Sequence, residues 1–247
     1  MMKSLKIRQK WLDELMPSGI SVPSSTLISG PGGAGKPLVG AAIADAWLNQ
    51  GGSLIHFLIN FDREYADKML KLFNPDPEKY KDRIVYVEID PLIDRIEKTN
   101  DVTLRANLLK PENVDAVIRE AKSMVPATES GPLIYASALN MLLFSKSYNQ
   151  VIHEKFLEII GSGENCMFTV ATNTFEDQIS QWENKADNLF YSRSTDQMHL
   201  GFSIVRLKDH SYSPDEVEVP LTENELISIR AEANKARKHL IPVIKRI

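Results

Sequence analysis

The chain is poor in the features that mark several common protein classes. Cys166 is the one cysteine in 247 residues, so no internal disulfide can form and a reducing compartment is the expected setting. Its neighbours Met167 to Val170 read as a buried strand, which favours inert packing over a reactive thiol. Positive charge is not in excess: Lys plus Arg is 29 against 33 Asp plus Glu, a net charge of −4. That balance argues against a protein that coats nucleic acid by bulk charge. Glycine and proline, 12 and 13 residues, stay near average usage, which excludes collagen-like repeats and argues against disorder. No long apolar run is present. The most apolar stretch, 133–144, is interrupted by Ser137 and Asn140 and is too short to cross a bilayer. The start, Met1-Met2-Lys3-Ser4-Leu5-Lys6, runs into charge rather than into a secretory apolar core. The five histidines show no metal-ligand spacing, and neither a G-x-S-x-G nor a Cys–His signature occurs. The expectation is a soluble, cytoplasmic, globular chain with no transmembrane segment.

What is present is an alternation of strand-like and helix-like segments. Strands are expected at 26–29, 54–59, 83–89, 133–136 and 165–172, with helices at 38–50, 63–73, 111–125 and 151–160. Pro111 suits a first helical position, and Gly51-Gly52 a helix end. This β-α order predicts an α/β fold with a mainly parallel central sheet and helices on both faces. From Asn188 the spacing changes to that of hairpins, with strands near 189–191, 199–207 and 216–219. A closing helix begins at Thr222, with Glu225 at capping-box distance. No repeat or linker divides the chain, so one domain is expected over 1–247.

The strongest motif is Gly30-Pro31-Gly32-Gly33-Ala34-Gly35-Lys36-Pro37. It matches the first seven positions of the phosphate-loop pattern G-x-x-x-x-G-K-[ST], between an expected strand and an expected helix. Glycines let successive backbone N–H groups turn inward on an anion, the helix N-terminus adds positive potential, and Lys36 supplies a point charge. The eighth position breaks the pattern. Pro37 has neither the hydroxyl that would ligate Mg²⁺ nor a backbone N–H. It also disfavours helical geometry at Lys36, so the helix is expected to start a residue late. Phosphate binding is expected at Gly30 to Lys36 and around Pro37, with a further backbone donor at Leu38.

The leader Trp11-Leu12-Asp13-Glu14-Leu15-Met16-Pro17-Ser18-Gly19-Ile20-Ser21-Val22-Pro23, running into this loop, resembles that of the KaiC-type branch of RecA-like P-loop ATPases. Asn60-Phe61-Asp62-Arg63 resembles that family's strand end with paired catalytic glutamates. Leu133-Ile134-Tyr135-Ala136-Ser137 resembles its Walker B segment, and Ala186-Asp187 with the hairpin residues Arg206-Leu207-Lys208 its late elements. The resemblance implies a RecA-like fold, ATP or ADP as ligand, and possible ring assembly with like subunits. The departures weigh as much. The Walker B aspartate falls on Ala136, and the glutamate pair on Asp62 and Arg63, so both usual metal anchors are missing and Mg²⁺ has no evident holder. Asp62 is the remaining candidate for a catalytic role, with helix capping as its alternative. Arg63 is a candidate for neutralising phosphate charge or a solvated helix residue. Asn173, after the fifth strand, is either a polar sensor of the terminal phosphate or a turn residue. Lys208 either reaches a neighbour's nucleotide or lies on the surface. Glu88 and Asp90 either line the cleft or end a solvated strand.

The segment 230–247 carries six basic residues against Glu232, a local +5, which leaves −9 on the remainder of a chain whose net charge is −4. It also carries Leu240, Ile241, Val243, Ile244 and Ile247. A contact with a protein partner is expected of it, in preference to nucleic acid or anionic lipid. Three functions stay open at this point. The chain is a nucleotide-binding regulatory or scaffolding protein with little or no hydrolysis, an atypical ATPase using Asp62, or an interaction module that no longer binds nucleotide.

Overall fold

The protein is described by a computed structural model over residues 3–74, 76–194 and 199–247. It opens with a two-stranded antiparallel ribbon, β1 (Ser4–Leu5) and β2 (Ile20–Ser21), around a short helix α1 (Lys10–Leu15). Strand β3 (Ser25–Ser29) leads through the glycine-rich loop into α2 (Lys36–Asn49), followed by β4 (Ser53–Leu58), α3 (Arg63–Lys71) and β5 (Ile84–Ile89). A hairpin, β6 (Glu97–Asn100) and β7 (Thr103–Ala106), precedes α4 (Pro111–Met124), β8 (Pro132–Ala136), α5 (Asn149–Ile160) and β9 (Cys166–Thr169). Then come α6 (Glu176–Lys185), β10 (Asn188–Ser194), β11 (Leu200–Arg206), β12 (Glu216–Glu218), α7 (Glu223–Ala236) and α8 (Ile241–Ile244).

Ten strands form one sheet in the order β12-β11-β10-β3-β9-β8-β4-β5-β7-β6. Strands β10 through β7 in that order run parallel, and β12, β11 and β6 are antiparallel additions at the two edges. The central strands are buried on both faces, as parallel strands under two helical layers must be. In β4, Leu54 and Leu58 join the core under α2 and α3, while Ile55 and Phe57 join the opposite core under α4, α5 and α6. Each such side chain contributes about 1.5–3 kcal/mol by leaving water. The leader packs its Leu5, Trp11, Leu12 and Leu15 into the first core, with Trp11 edge-on to Phe202 at 5.6 Å.

Helix α2 approaches β8 closely at Gly40. A Cβ on Gly40 would lie 2.4 Å from the Tyr135 hydroxyl oxygen, so anything larger would push the helix off β8. Helix α7 carries the expected capping box: the Thr222 hydroxyl accepts from the Glu225 N–H, and the Glu225 carboxylate accepts from the Thr222 N–H.

Three expectations need correction. The helix after the glycine loop begins at Lys36, not later, with Pro37 in its first turn. The preference against helical geometry before proline is overcome because Gly35, in the left-handed region at φ 71°, turns the chain directly into the helix. The apolar end of the tail does not wait for a partner: Ile244 is fully buried, and Leu240, Ile241 and Ile247 pack on the core beneath α4 to α6. The Ser147 N–H donates to the Ile247 carbonyl at 3.3 Å. Finally, the hairpin β6–β7 and helix α6 add elements that periodicity did not indicate.

Candidate functional site

The glycine loop leaves β3 at the carboxyl edge of the sheet, between β10 and β9. Two of its glycines are required by geometry. Gly30 sits at φ 135°, and a Cβ there would lie 1.9 Å from the Ser192 carbonyl oxygen of β10. Gly35, at φ 71°, would bring a Cβ to 2.5 Å from Leu200. Gly35 is also the residue that caps α2, with no side-chain hydrogen bond to the first turn. The opening N–H groups of α2 thus lack a side-chain cap, the arrangement that suits an anion.

Lys36 is 6% exposed. Its ammonium is held inside the loop, donating to the Gly30 carbonyl at 2.8 Å and to the Pro31 carbonyl. Burial pulls its pKa down to about 8. The loop is tied to the strand beside it, because the Thr172 N–H donates to the Gly30 carbonyl at 3.1 Å. That bond places Asn173 over the loop, with its Oδ1 4.0 Å from where a Gly32 Cβ would stand. Asn173 therefore belongs to the same cluster as Gly30 to Lys36. Leu38 does not offer a free donor, since its N–H bonds to the Gly35 carbonyl at 2.9 Å within the first helical turn.

The other side of the edge, at the ends of β8 and β4, is built differently. Ala136 is fully buried and presents no oxygen. After Ser137 the chain turns through Ala138 at φ 58°, whose N–H donates to the Thr169 hydroxyl at 2.9 Å. Asp62 caps α3, its carboxylate accepting from the Tyr65 N–H at 2.9 Å. Arg63 turns away toward β5, its guanidinium 4.8 Å from the Tyr86 ring centre and 3.5 Å from Asp67. Among the described residues, no three of His, Cys, Asp and Glu come together as a metal-binding set. Pro37 and Ala136, the two positions expected to anchor Mg²⁺, carry no side-chain oxygen.

Instead, a narrow apolar cleft of about 20 Å³, room for about one water, lies between α2 and α3, with Pro37, Phe61, Tyr135 and Ser137 among its walls. His56 lines it, stacked on Tyr135 at 4.5 Å. Burial drives the His56 pKa down to about 3, so the ring is neutral.

The remaining candidates are engaged elsewhere. Lys208 pairs with Asp187 at 3.3 Å, and Arg206 donates to the Ala186 carbonyl at 2.7 Å, pinning the β11 end to α6. Asp90 lies 3.6 Å from Arg105. One residue of the edge escaped sequence reading. Lys238, from the basic tail, lays its side chain on the end of β4 and reaches the Leu58 carbonyl at 3.4 Å. The tail's excess of lysine and arginine was a signal of charge, but not of place.

A strand, a phosphate-type loop and a helix in this strand order define a RecA-like P-loop α/β fold. Many solved structures share it, two of them as follows. The crystal structure of the KaiC-like protein PH0186 from the hyperthermophilic archaeon Pyrococcus horikoshii OT3 matches with a TM-score of 0.67 at 14% identity, covering 91% of this chain and 98% of that one. The flagellar accessory protein FlaH from Methanocaldococcus jannaschii matches with a TM-score of 0.61 at 16% identity, covering 88% of this chain and 94% of that one. At such identities the likeness is one of fold. No protein-family model matches the chain, and no curated protein matches it in sequence. No helix among the described residues is long and apolar enough to cross a membrane.

Proposed function

We propose that this chain is a single-domain, KaiC/RecA-like nucleotide-binding protein that holds ATP or ADP with little or no hydrolysis and acts as a regulatory or scaffolding component. The observation that carries this reading is the contrast within one edge. A loop of required glycines encloses the Lys36 ammonium, while both metal-anchor positions, Pro37 and Ala136, lack oxygen donors. Gly30 to Lys36 hold the phosphates through backbone N–H groups and the lysine charge. Asn173 contacts the terminal phosphate. Phosphoryl transfer draws heavily on metal charge neutralisation and a positioned water, so weak metal anchorage implies slow turnover. Asp62 uses one carboxylate oxygen as a helix cap, which limits it as a water-orienting group. The lone buried Cys166 fits a cytoplasmic setting, and the neighbours' fold fits self-association or docking on a protein partner in a signalling or motility-related assembly.

Titration of ATP and ADP, with phosphate release followed in parallel, tests the reading. Binding that Lys36→Ala weakens by about a hundredfold, without release above background, supports it. Release that depends on Asp62 would point instead to an atypical ATPase, and no binding at millimolar nucleotide to an interaction module.

A further inference from the structure

The segment after α7 crosses the carboxyl edge of the sheet from one face to the other. Helix α7 lies on α3, with Leu226 buried and Ile229, Ala233 and Ala236 packed on the same core. An ion pair, Lys68 to Glu232 at 3.4 Å, joins the two helices. Beyond α7 the chain meets the end of β4: Arg237 forms an antiparallel bridge with Phe61, and the Lys238 N–H donates to the Asn60 carbonyl at 2.9 Å. It then drops onto the opposite face, where Ile244 is fully buried. The strap is thus anchored on both faces and crosses beside Asp62, past the end of β4, with β8 and β9 between it and β3; Phe61, which it bridges, shares a cleft with Pro37 at the start of α2.

Lys238 is the charge that this crossing brings to the edge. Its stem lies over β4 and its ammonium reaches the Leu58 carbonyl. Burial lowers its pKa, and the nearby Glu88 and Asp62 carboxylates oppose that fall. The two carboxylates stand at the ends of neighbouring strands, β5 and β4. An ammonium that is partly desolvated and still has donors to spare interacts strongly with an added anion. The expected metal-anchor position on β8, Ala136, carries no oxygen donor, and Lys238 stands at the end of the neighbouring strand β4.

We propose that Lys238 is a cation supplied in cis to the terminal phosphate of a bound nucleoside triphosphate, and that docking of the 237–247 strap is thereby coupled to nucleotide binding. The proposal rests on the nucleotide-binding reading above. By linkage, whatever the docked strap adds to nucleotide affinity, the nucleotide returns to strap docking.

The test compares ATP and ADP affinities of the full chain in EDTA, for wild type, Lys238→Met and Lys238→Arg. Methionine keeps the apolar stem, and thermal unfolding checks that each variant is folded. A loss of about tenfold or more for ATP in Lys238→Met, smaller for ADP and partly rescued in Lys238→Arg, is expected. In wild type, ATP should also slow hydrogen exchange of the amides of 238–247. Equal affinities in wild type and folded Lys238→Met, with exchange of the strap unchanged by ATP, would overturn the proposal and leave nucleotide binding standing. Failure of wild type to bind either nucleotide would overturn both.

Discussion

The phosphate loop and the flank formed by the ends of β4 and β8 belong to one edge of one sheet, yet they hold their shape by different means. On the loop side the chemistry resides in the backbone. Gly30 and Gly35 take left-handed geometry against Ser192 and Leu200, and Lys36 is gripped by the carbonyls of its own loop. On the β4–β8 side the chemistry would have to come from side chains. There Ala136 is buried among apolar neighbours, Asp62 caps a helix and Arg63 stacks on Tyr86. A backbone nest persists as long as its glycines and its packing persist. A site built from side chains changes with one or two substitutions. The difference teaches that, on this fold, a backbone-built loop and a side-chain-built flank can vary independently, which is what the proposed metal-independent nucleotide binding requires.

The strongest way to break the comparison is to attack the nest. Gly30→Ala puts a Cβ into the Ser192 carbonyl and imposes φ 135° on a residue with a side chain. A loss of about 3 kcal/mol or more in stability is expected, read as a lower urea midpoint, with nucleotide binding abolished.

Second comes the lysine. Its pKa of about 8 in the folded chain lies below the ordinary 10.5. Between those values the unfolded chain binds more protons, so stability rises with pH across that window. The size is roughly 3 kcal/mol if the unfolded chain is unperturbed. Lys36→Met should remove this slope, checked by denaturant unfolding at pH 7.5 and 10. A bound phosphate favours the charged lysine, so nucleotide binding at pH 9 should take up a proton, seen as a buffer-dependent heat in calorimetry.

The comparison can be sharpened by rebuilding the deficient flank. The double change Pro37→Thr, Ala136→Asp is expected to make nucleotide affinity rise by about tenfold on adding Mg²⁺, where wild type responds little. An affinity indifferent to Mg²⁺ in that variant would count against the account of the defect. The smallest effect is expected at Asn173, which is exposed and touches the loop from one side only. Asn173→Ala should weaken ATP by about three- to tenfold and leave thermal stability unchanged.

Much of this architecture was legible in the residues. The run 54–59 of apolar residues around His56 spelled a buried strand, found at Ser53–Leu58, and Gly30 to Lys36 spelled a glycine-rich turn from a strand into a helix. Thr222 with Glu225 spelled a helix start. The hairpin β6–β7 was not legible, because Glu-Lys-Thr-Asn at 97–100 has no apolar residue and is held by pairing with β7 alone. Helix α6 buries only Ile179 and Trp182, too few to show a period. The destination of the tail was illegible for a different reason. An apolar stretch such as Leu240 to Ile247 needs a surface to cover it, but its pattern does not say whose surface. Here it is the chain's own, and that placement carries Lys238 to the edge.

The central claim is that the loop holds nucleotide phosphates without help from a metal. Equilibrium titration of ATP into the wild-type protein, once in EDTA and once in excess Mg²⁺, tests it most directly when phosphate release is read from the same samples. The account predicts dissociation constants within about threefold of each other and no release above background. Binding seen only with Mg²⁺, accompanied by release that Lys36→Ala abolishes, would contradict it.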